Sequence, residues 1–93
     1  MGKVAVVTGA AGGMGRAIVA RLRSDGMQVV GLDIDTAGLA EMEAQDGFTG
    51  IETNLMDAAA IARTFEQIAG RFGGVDVLVN NAGTCFMSEF PDI

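Results

Sequence analysis

The stretch Val4-Ala5-Val6-Val7-Thr8-Gly9-Ala10-Ala11-Gly12-Gly13-Met14-Gly15 decides how this chain is read. Its first four residues form a short, continuously apolar run, the pattern of a strand buried on both faces. The run passes directly into a glycine-rich segment, and Arg16 to Ser24 then reads as a helix whose apolar face holds Ala17, Ile18 and Leu22. Backbone N–H groups at a helix start have no intrahelical partner and carry partial positive charge, so such a turn can hold a phosphate. Glycine at Gly9 permits the turn, and at Gly13 and Gly15 it permits close approach of a pyrophosphate and of the sheet. No Lys-Ser/Thr pair follows the loop, which excludes a P-loop for nucleoside triphosphates. A glycine-rich turn without a ligand is the alternative.

Outward from this stretch the segments alternate in type. Met27 to Leu32 reads as a second strand ending in Asp33, after an Asp25-Gly26 helix stop. Thr36 to Gln45 reads as a helix capped by Asp35 or Thr36, and Gly47 to Asn54 as a third strand diluted by Gly47 and Gly50. Asp57 caps a further helix in which Ile61, Phe65, Ile68 and Phe72 form one apolar stripe. Gly73-Gly74 stops it, Val75 to Val79 is a fourth strand, and Asn80-Asn81-Ala82-Gly83 follows. Thr84 to Ile93 shows no period. This βαβ alternation predicts an α/β fold with a parallel sheet and right-handed crossovers. No repeat or linker divides residues 1–93, so one domain is expected.

Asp33 stands at the end of the second strand, at about the 20-residue distance beyond the glycine loop where an acid accepts hydrogen bonds from the adenosine ribose hydroxyls. The same carboxylate repels a 2′-phosphate, and the loop itself holds no lysine or arginine, so NAD is expected over NADP. A solvated strand-end carboxylate, or a cap on the next helix, is the other reading of Asp33.

Composition narrows the function classes. The net charge of −6 opposes nonspecific binding to nucleic acid or anionic membranes. With no histidine and one cysteine, the usual zinc sites and an internal disulfide are excluded, and an Asp33/Asp35 metal pair lacks further ligands. No run approaches the roughly 20 apolar residues of a membrane span, and Met1 to Val4 enters a strand at once, without a leader. A cytoplasmic location is the expectation. Tyrosine is absent as well as histidine, and Lys3 is the only lysine, so the side chains most used for proton transfer are scarce. Cys85 has no histidine to activate it and reads as a packed or loop thiol.

The pair Thr8-Gly-x-x-x-Gly13-x-Gly15 and Asn80-Asn81-Ala82-Gly83 resembles the short-chain dehydrogenase/reductase family over essentially the whole chain. The resemblance implies a Rossmann-type doubly wound parallel sheet, here incomplete, with four strands in the order 3-2-1-4. It implies NAD(P)-dependent interconversion of an alcohol and a carbonyl. By that resemblance Gly9, Ala11, Gly12, Gly13 and Met14 lie along the pyrophosphate and adenosine ribose. Asp33 holds the ribose, with Ile34 beside the adenine. Asn54, followed by Leu55, stands where the family usually has an acid facing the adenine amino group. Asn81, Ala82 and Gly83 pass their backbone close to the cofactor, while Asn80 and Asn81 also tie the fourth strand to its neighbours.

The family's catalytic serine and Tyr-x-x-x-Lys pair have no counterpart here, and Ser88 falls too early to be that serine, so no catalytic residue is carried over. Three expectations follow: the N-terminal part of a dehydrogenase acting on a small alcohol or carbonyl, a stand-alone dinucleotide-binding module, or a truncated remnant. An apolar fourth strand at the sheet edge calls for cover, which a second copy of the chain would supply as a homo-oligomer.

Overall fold

The computed structural model describes residues 2–81. Seven elements alternate: β1 (Val4–Thr8), α1 (Gly13–Ser24), β2 (Gln28–Asp33), α2 (Thr36–Met42), β3 (Phe48–Glu52), α3 (Ala58–Phe72) and β4 (Val77–Val79). The strands form one parallel sheet in the order β3-β2-β1-β4, as expected. Thr8 pairs with Leu32, and Asp33 with Glu52, so the carboxyl ends of neighbouring strands stand side by side. The order reverses between β1 and β4, the place where open α/β sheets receive ligands.

The two faces of the sheet are both covered, which is why β1 reads as an unbroken apolar run. Ala5, Val7 and Val29 point to one face, where Val19 of α1 and Leu39 and Met42 of α2 pack. Val4, Val6, Val30 and Leu32 point to the other, against Ile68 of α3 with Phe65 and Phe72 beside it. The alternation of strand side chains sorts these residues, and right-handed crossovers place the helices.

Element ends differ from the sequence reading in instructive ways. α1 begins at Gly13 rather than Arg16, because glycine costs little in a first turn whose N–H groups need no intrahelical acceptor. Its buried residues are Gly15 and Val19, with Ile18 and Leu22 half-buried, whereas Ala17 is exposed. α2 ends at Met42, not Gln45. The following segment is drawn elsewhere: Arg23 donates to the Asp46 carbonyl (2.6 Å) and Gln45 Oε1 (3.0 Å), and Glu43 accepts from the Gly50 amide (2.7 Å). β3 excludes Gly47, whose φ of 83° breaks the strand, and Asn54, which enters a turn. β4 starts two residues late, because the Asp76 carboxylate takes the Val4 amide that a strand carbonyl would otherwise accept (2.8 Å).

Candidate dinucleotide site at the carboxyl edge of the sheet

The glycine loop is the turn between β1 and α1. Gly9 has φ 66°, the left-handed region that glycine enters without a Cβ penalty. Its amide donates to the Leu32 carbonyl at 2.8 Å, which fastens the loop to the end of β2. Gly15 lies on the inner face of α1, where a β-carbon would run into the Gly9 carbonyl and sit 2.8 Å from Ala10 Cα. Close packing of helix on loop therefore requires glycine at this position.

Gly12 and Gly13 are different. A β-carbon on Gly13 would meet nothing within 4 Å, and one on Gly12 only the Gly9 carbonyl oxygen at an ordinary 3.7 Å. Neither has a positive φ. Packing within the described residues thus gives no reason for glycine at either position. Gly12 is the N-cap of α1 and supplies no side-chain cap, so the first turn keeps its amides for another acceptor. Beside them Met14 is 70% exposed. The two glycines leave open a cradle that β-carbons would fill, bordered by helix-start N–H groups, and a pyrophosphate fits that donor set.

Asp33 projects from the end of β2 against this loop. Its Oδ2 accepts from the Ala11 amide at 3.0 Å, and its Oδ1 from the Asp35 amide at 3.0 Å. The carboxylate is half-buried and oriented by two backbone donors, with lone pairs left for a ligand hydroxyl. It does not cap α2; Asp35 does, accepting from Gly38 N at 3.0 Å. Ala11 has both backbone groups engaged, since its carbonyl accepts from Arg16 Nε at 2.9 Å. Its contribution is to aim Asp33 rather than to offer a free amide, a role that spacing along the chain did not reveal.

The remaining expected residues stand along the same edge. Ile34 follows β2 and is 64% exposed. Asn54 and Leu55 follow β3. Asn54 is exposed, and its Oδ1 accepts from its own loop at Met56 N (3.0 Å), which orients the carboxamide. Leu55 packs on the α3-side core. After β4, Asn81 Nδ2 donates to the Gly9 carbonyl at 3.2 Å. Buried Thr8 donates toward the Val79 carbonyl (3.4 Å) and Asn80 Oδ1 (3.2 Å). Asn80 thus ties the end of β4 to β1 and Asn81 ties it to the glycine loop, the structural part of their expected role. Ala82, Gly83, Cys85 and Ser88 lie outside the described residues.

Arg16, Glu41 and Thr8 belong to the site's framework; from sequence Thr8 was read only as the first residue of the glycine motif and Arg16 as the helical residue just past the loop, and Glu41 was not singled out. The Arg16–Glu41 ion pair (3.1 Å) joins α1 to α2 across 25 positions, a distance at which no periodic signal exists. Among the described residues there is no cluster of three or more metal-ligating side chains, and no helix is long and apolar enough to cross a membrane.

Comparison with known proteins gives the family and the fold. The family model for short chain dehydrogenases matches residues 3–93. A short chain dehydrogenase/reductase of Colletotrichum higginsianum is 42% identical over 97 residues, covering 99% of this chain and 35% of its own length. The D-threitol dehydrogenase of Mycolicibacterium smegmatis is 37% identical, covering 99% of this chain and 37% of its own. The crystal structure of a 3-ketoacyl-(acyl-carrier-protein) reductase from Brucella melitensis, complexed with NADH, superposes with a TM-score of 0.77 at 33% identity. That match covers 83% of this chain and 32% of the reductase. The chain therefore spans about a third of the length of these relatives.

Proposed function

This chain belongs to the short chain dehydrogenase family, and from that footing we propose that residues 1–93 are the NAD-binding part of an NAD(P)-dependent oxidoreductase that interconverts an alcohol and a carbonyl. The observation that carries the reading is the Asp33 carboxylate, held 3.0 Å from the Ala11 amide beside a helix start at which Gly12 and Gly13 have no packing role.

A bound NAD(P) would supply the hydride acceptor or donor for the alcohol or carbonyl carbon. This chain's residues bind and orient. The amides at the start of α1 hold the pyrophosphate, with Gly12 and Gly13 admitting it and Met14 flanking it. Asp33 accepts from the ribose hydroxyls and opposes a 2′-phosphate, so NAD is preferred over NADP. Ile34 and Leu55, following adjacent strands, border the adenine, and Asn54 offers it a polar contact. Asn81 keeps the end of β4 against the loop, and Ala82 and Gly83 continue along the cofactor. No residue of this chain is assigned the proton transfer, for the chain has neither tyrosine nor histidine.

A stand-alone binding module is the second reading. It would have to cover β4, which pairs only with β1 among the described residues. Pairing of two copies along β4 would cover the edge.

Fluorescence titration with NADH and NADPH tests the cofactor assignment. NADH is expected to bind more tightly, and Asp33→Ala to narrow the preference by about tenfold to a hundredfold, the worth of hydrogen bonds to a charged group. Equal affinity for the two in the unaltered protein would sink the role given to Asp33. The intact mass of the protein from its source separates the two readings: a mass well above that of 93 residues supports the dehydrogenase, and a mass equal to it supports the module.

A further inference from the structure

Arg16 occupies a position that the dinucleotide reading leaves unexplained. Its Nε donates to the Ala11 carbonyl at 2.9 Å and its Nη2 to Glu41 Oε1 at 3.1 Å. The same Nη2 lies 3.1 Å from the point a β-carbon on Gly38 would occupy, with Asp35 Oδ2 2.7 Å and Ala11 Cβ 2.9 Å from that point. The guanidinium is thus packed beside Ala11 and Asp35, the two residues whose amides hold Asp33. Among the described residues it is the cation hydrogen-bonded to the glycine loop.

We infer that Arg16 and Glu41 form a second determinant of dinucleotide selectivity: Glu41 occupies the Arg16 guanidinium beside the ribose corner and so competes with a 2′-phosphate for the cation that, among the described residues, is hydrogen-bonded to the glycine loop. The inference rests on the NAD-binding reading of the loop. A phosphate dianion is a better partner for a guanidinium than a water-exposed carboxylate, through bidentate, charge-assisted hydrogen bonds. The Arg16–Glu41 pair is solvated, with side chains 41% and 72% exposed, and such pairs hold only weakly. Glu41 alone is therefore a modest competitor, and Asp33 and Asp35 add their negative charge around the same arginine. Removing Asp33 alone leaves Arg16 still tied to Glu41.

The test is the ratio of NADPH to NADH affinity in Asp33→Asn, Asp33→Asn with Glu41→Gln, and that double variant with Arg16→Gln, made in the protein as its source produces it. Adding Glu41→Gln is expected to raise the ratio about tenfold beyond Asp33→Asn, the worth of one charge-assisted hydrogen bond. Adding Arg16→Gln is expected to abolish that gain, and Arg16→Lys in its place to keep it measurable, because lysine retains the charge. A purely structural role for Arg16 in shaping the loop would move both affinities together and leave the ratio unchanged. Glu41 is exposed, so the single Glu41→Gln keeps the fold and is expected to shift the ratio in the same direction. No added gain from Glu41→Gln, or a gain that survives Arg16→Gln, overturns the inference while NADH binding stands. Failure of the unaltered protein to bind either dinucleotide overturns the NAD reading, and this inference with it.

Discussion

The Ala11 amide donates to the Asp33 carboxylate across 3.0 Å, joining residues 22 positions apart in the chain. The contact exists because β1 and β2 are parallel neighbours in a register that sets Thr8 beside Leu32. Loop and acid then leave adjacent strands at the same edge, and the loop amide meets the acid's side chain. The carboxylate is oriented before any ligand arrives, so binding need not spend entropy on fixing it.

Asp33 should therefore contribute to the protein's own stability as well as to binding. Asp33→Asn keeps an oxygen acceptor for the Ala11 amide, whereas Asp33→Ala leaves it none. Urea denaturation is expected to show Asp33→Ala less stable than Asp33→Asn by about 1 kcal/mol, the net worth of a part-buried hydrogen bond. Equal stability would mean that Ala11 does not depend on this carboxylate.

The loop glycines divide into two kinds, and alanine separates them. Gly13→Ala meets no atom of the folded protein, so its melting temperature should hold or rise slightly, since alanine favours a helix by about 0.5–1 kcal/mol over glycine. NADH affinity should nevertheless fall at least tenfold. Gly15→Ala should instead lower the melting temperature sharply, because its β-carbon collides with the Gly9 carbonyl. If Gly13→Ala left NADH binding intact, the cradle would not be where the pyrophosphate lies.

Asn81→Asp turns the donor that faces the Gly9 carbonyl into an acceptor, and sets a negative charge beside the proposed pyrophosphate. NADH affinity should drop more for Asn81→Asp than for Asn81→Ala, which only deletes the hydrogen bond. Isothermal titration of both variants reads the order; the reverse order would remove Asn81 from the binding argument.

Ile68 is fully buried between α3 and the sheet, against Val4, Val6, Val30 and Leu32. Ile68→Ala is expected to cost about 2–5 kcal/mol in chemical denaturation, a large share of the total for a small domain. A loss below 1 kcal/mol would mean that α3 is not the main cover of that face.

Thr53 and Thr64 share a buried hydrogen bond of 3.0 Å between β3's exit and α3. Thr53→Val strands the Thr64 hydroxyl and should cost about 1–3 kcal/mol. Changing both to valine should cost less than that, since no hydroxyl is then left alone, while the Thr53 bond to the Ile51 carbonyl is lost in both variants alike. A double variant worse than the single one would show that the pair is held by packing rather than by its hydrogen bond.

Most of the architecture was legible in the residues from Val4 to Val79. Continuous apolar runs, the α3 stripe and the Asp35 and Asp57 caps are local patterns, and the structure repeats them. The strand order came from likeness to a family rather than from any periodicity, and the sheet has that order. Element ends were read less well, because the end of α2 depends on a partner distant in sequence, the pull of Arg23 on residues 45 and 46, and the start of α1 on how Gly15 packs against the loop before it.

At the site, residue types and spacing picked out the glycine loop and Asp33, and the likeness to a known family added the asparagines after β4. Which glycines serve the fold and which leave open space, the use of both Ala11 backbone groups, the turn of Asn54 onto its own loop and the Arg16–Glu41 clamp were decided only by the tertiary structure. Hydrophobic periodicity and turn chemistry are short-range, so one chain written in a line displays them. A side-chain hydrogen bond to a group 22 or 25 positions away depends on sheet register and helix placement, which exist only after the strands have paired.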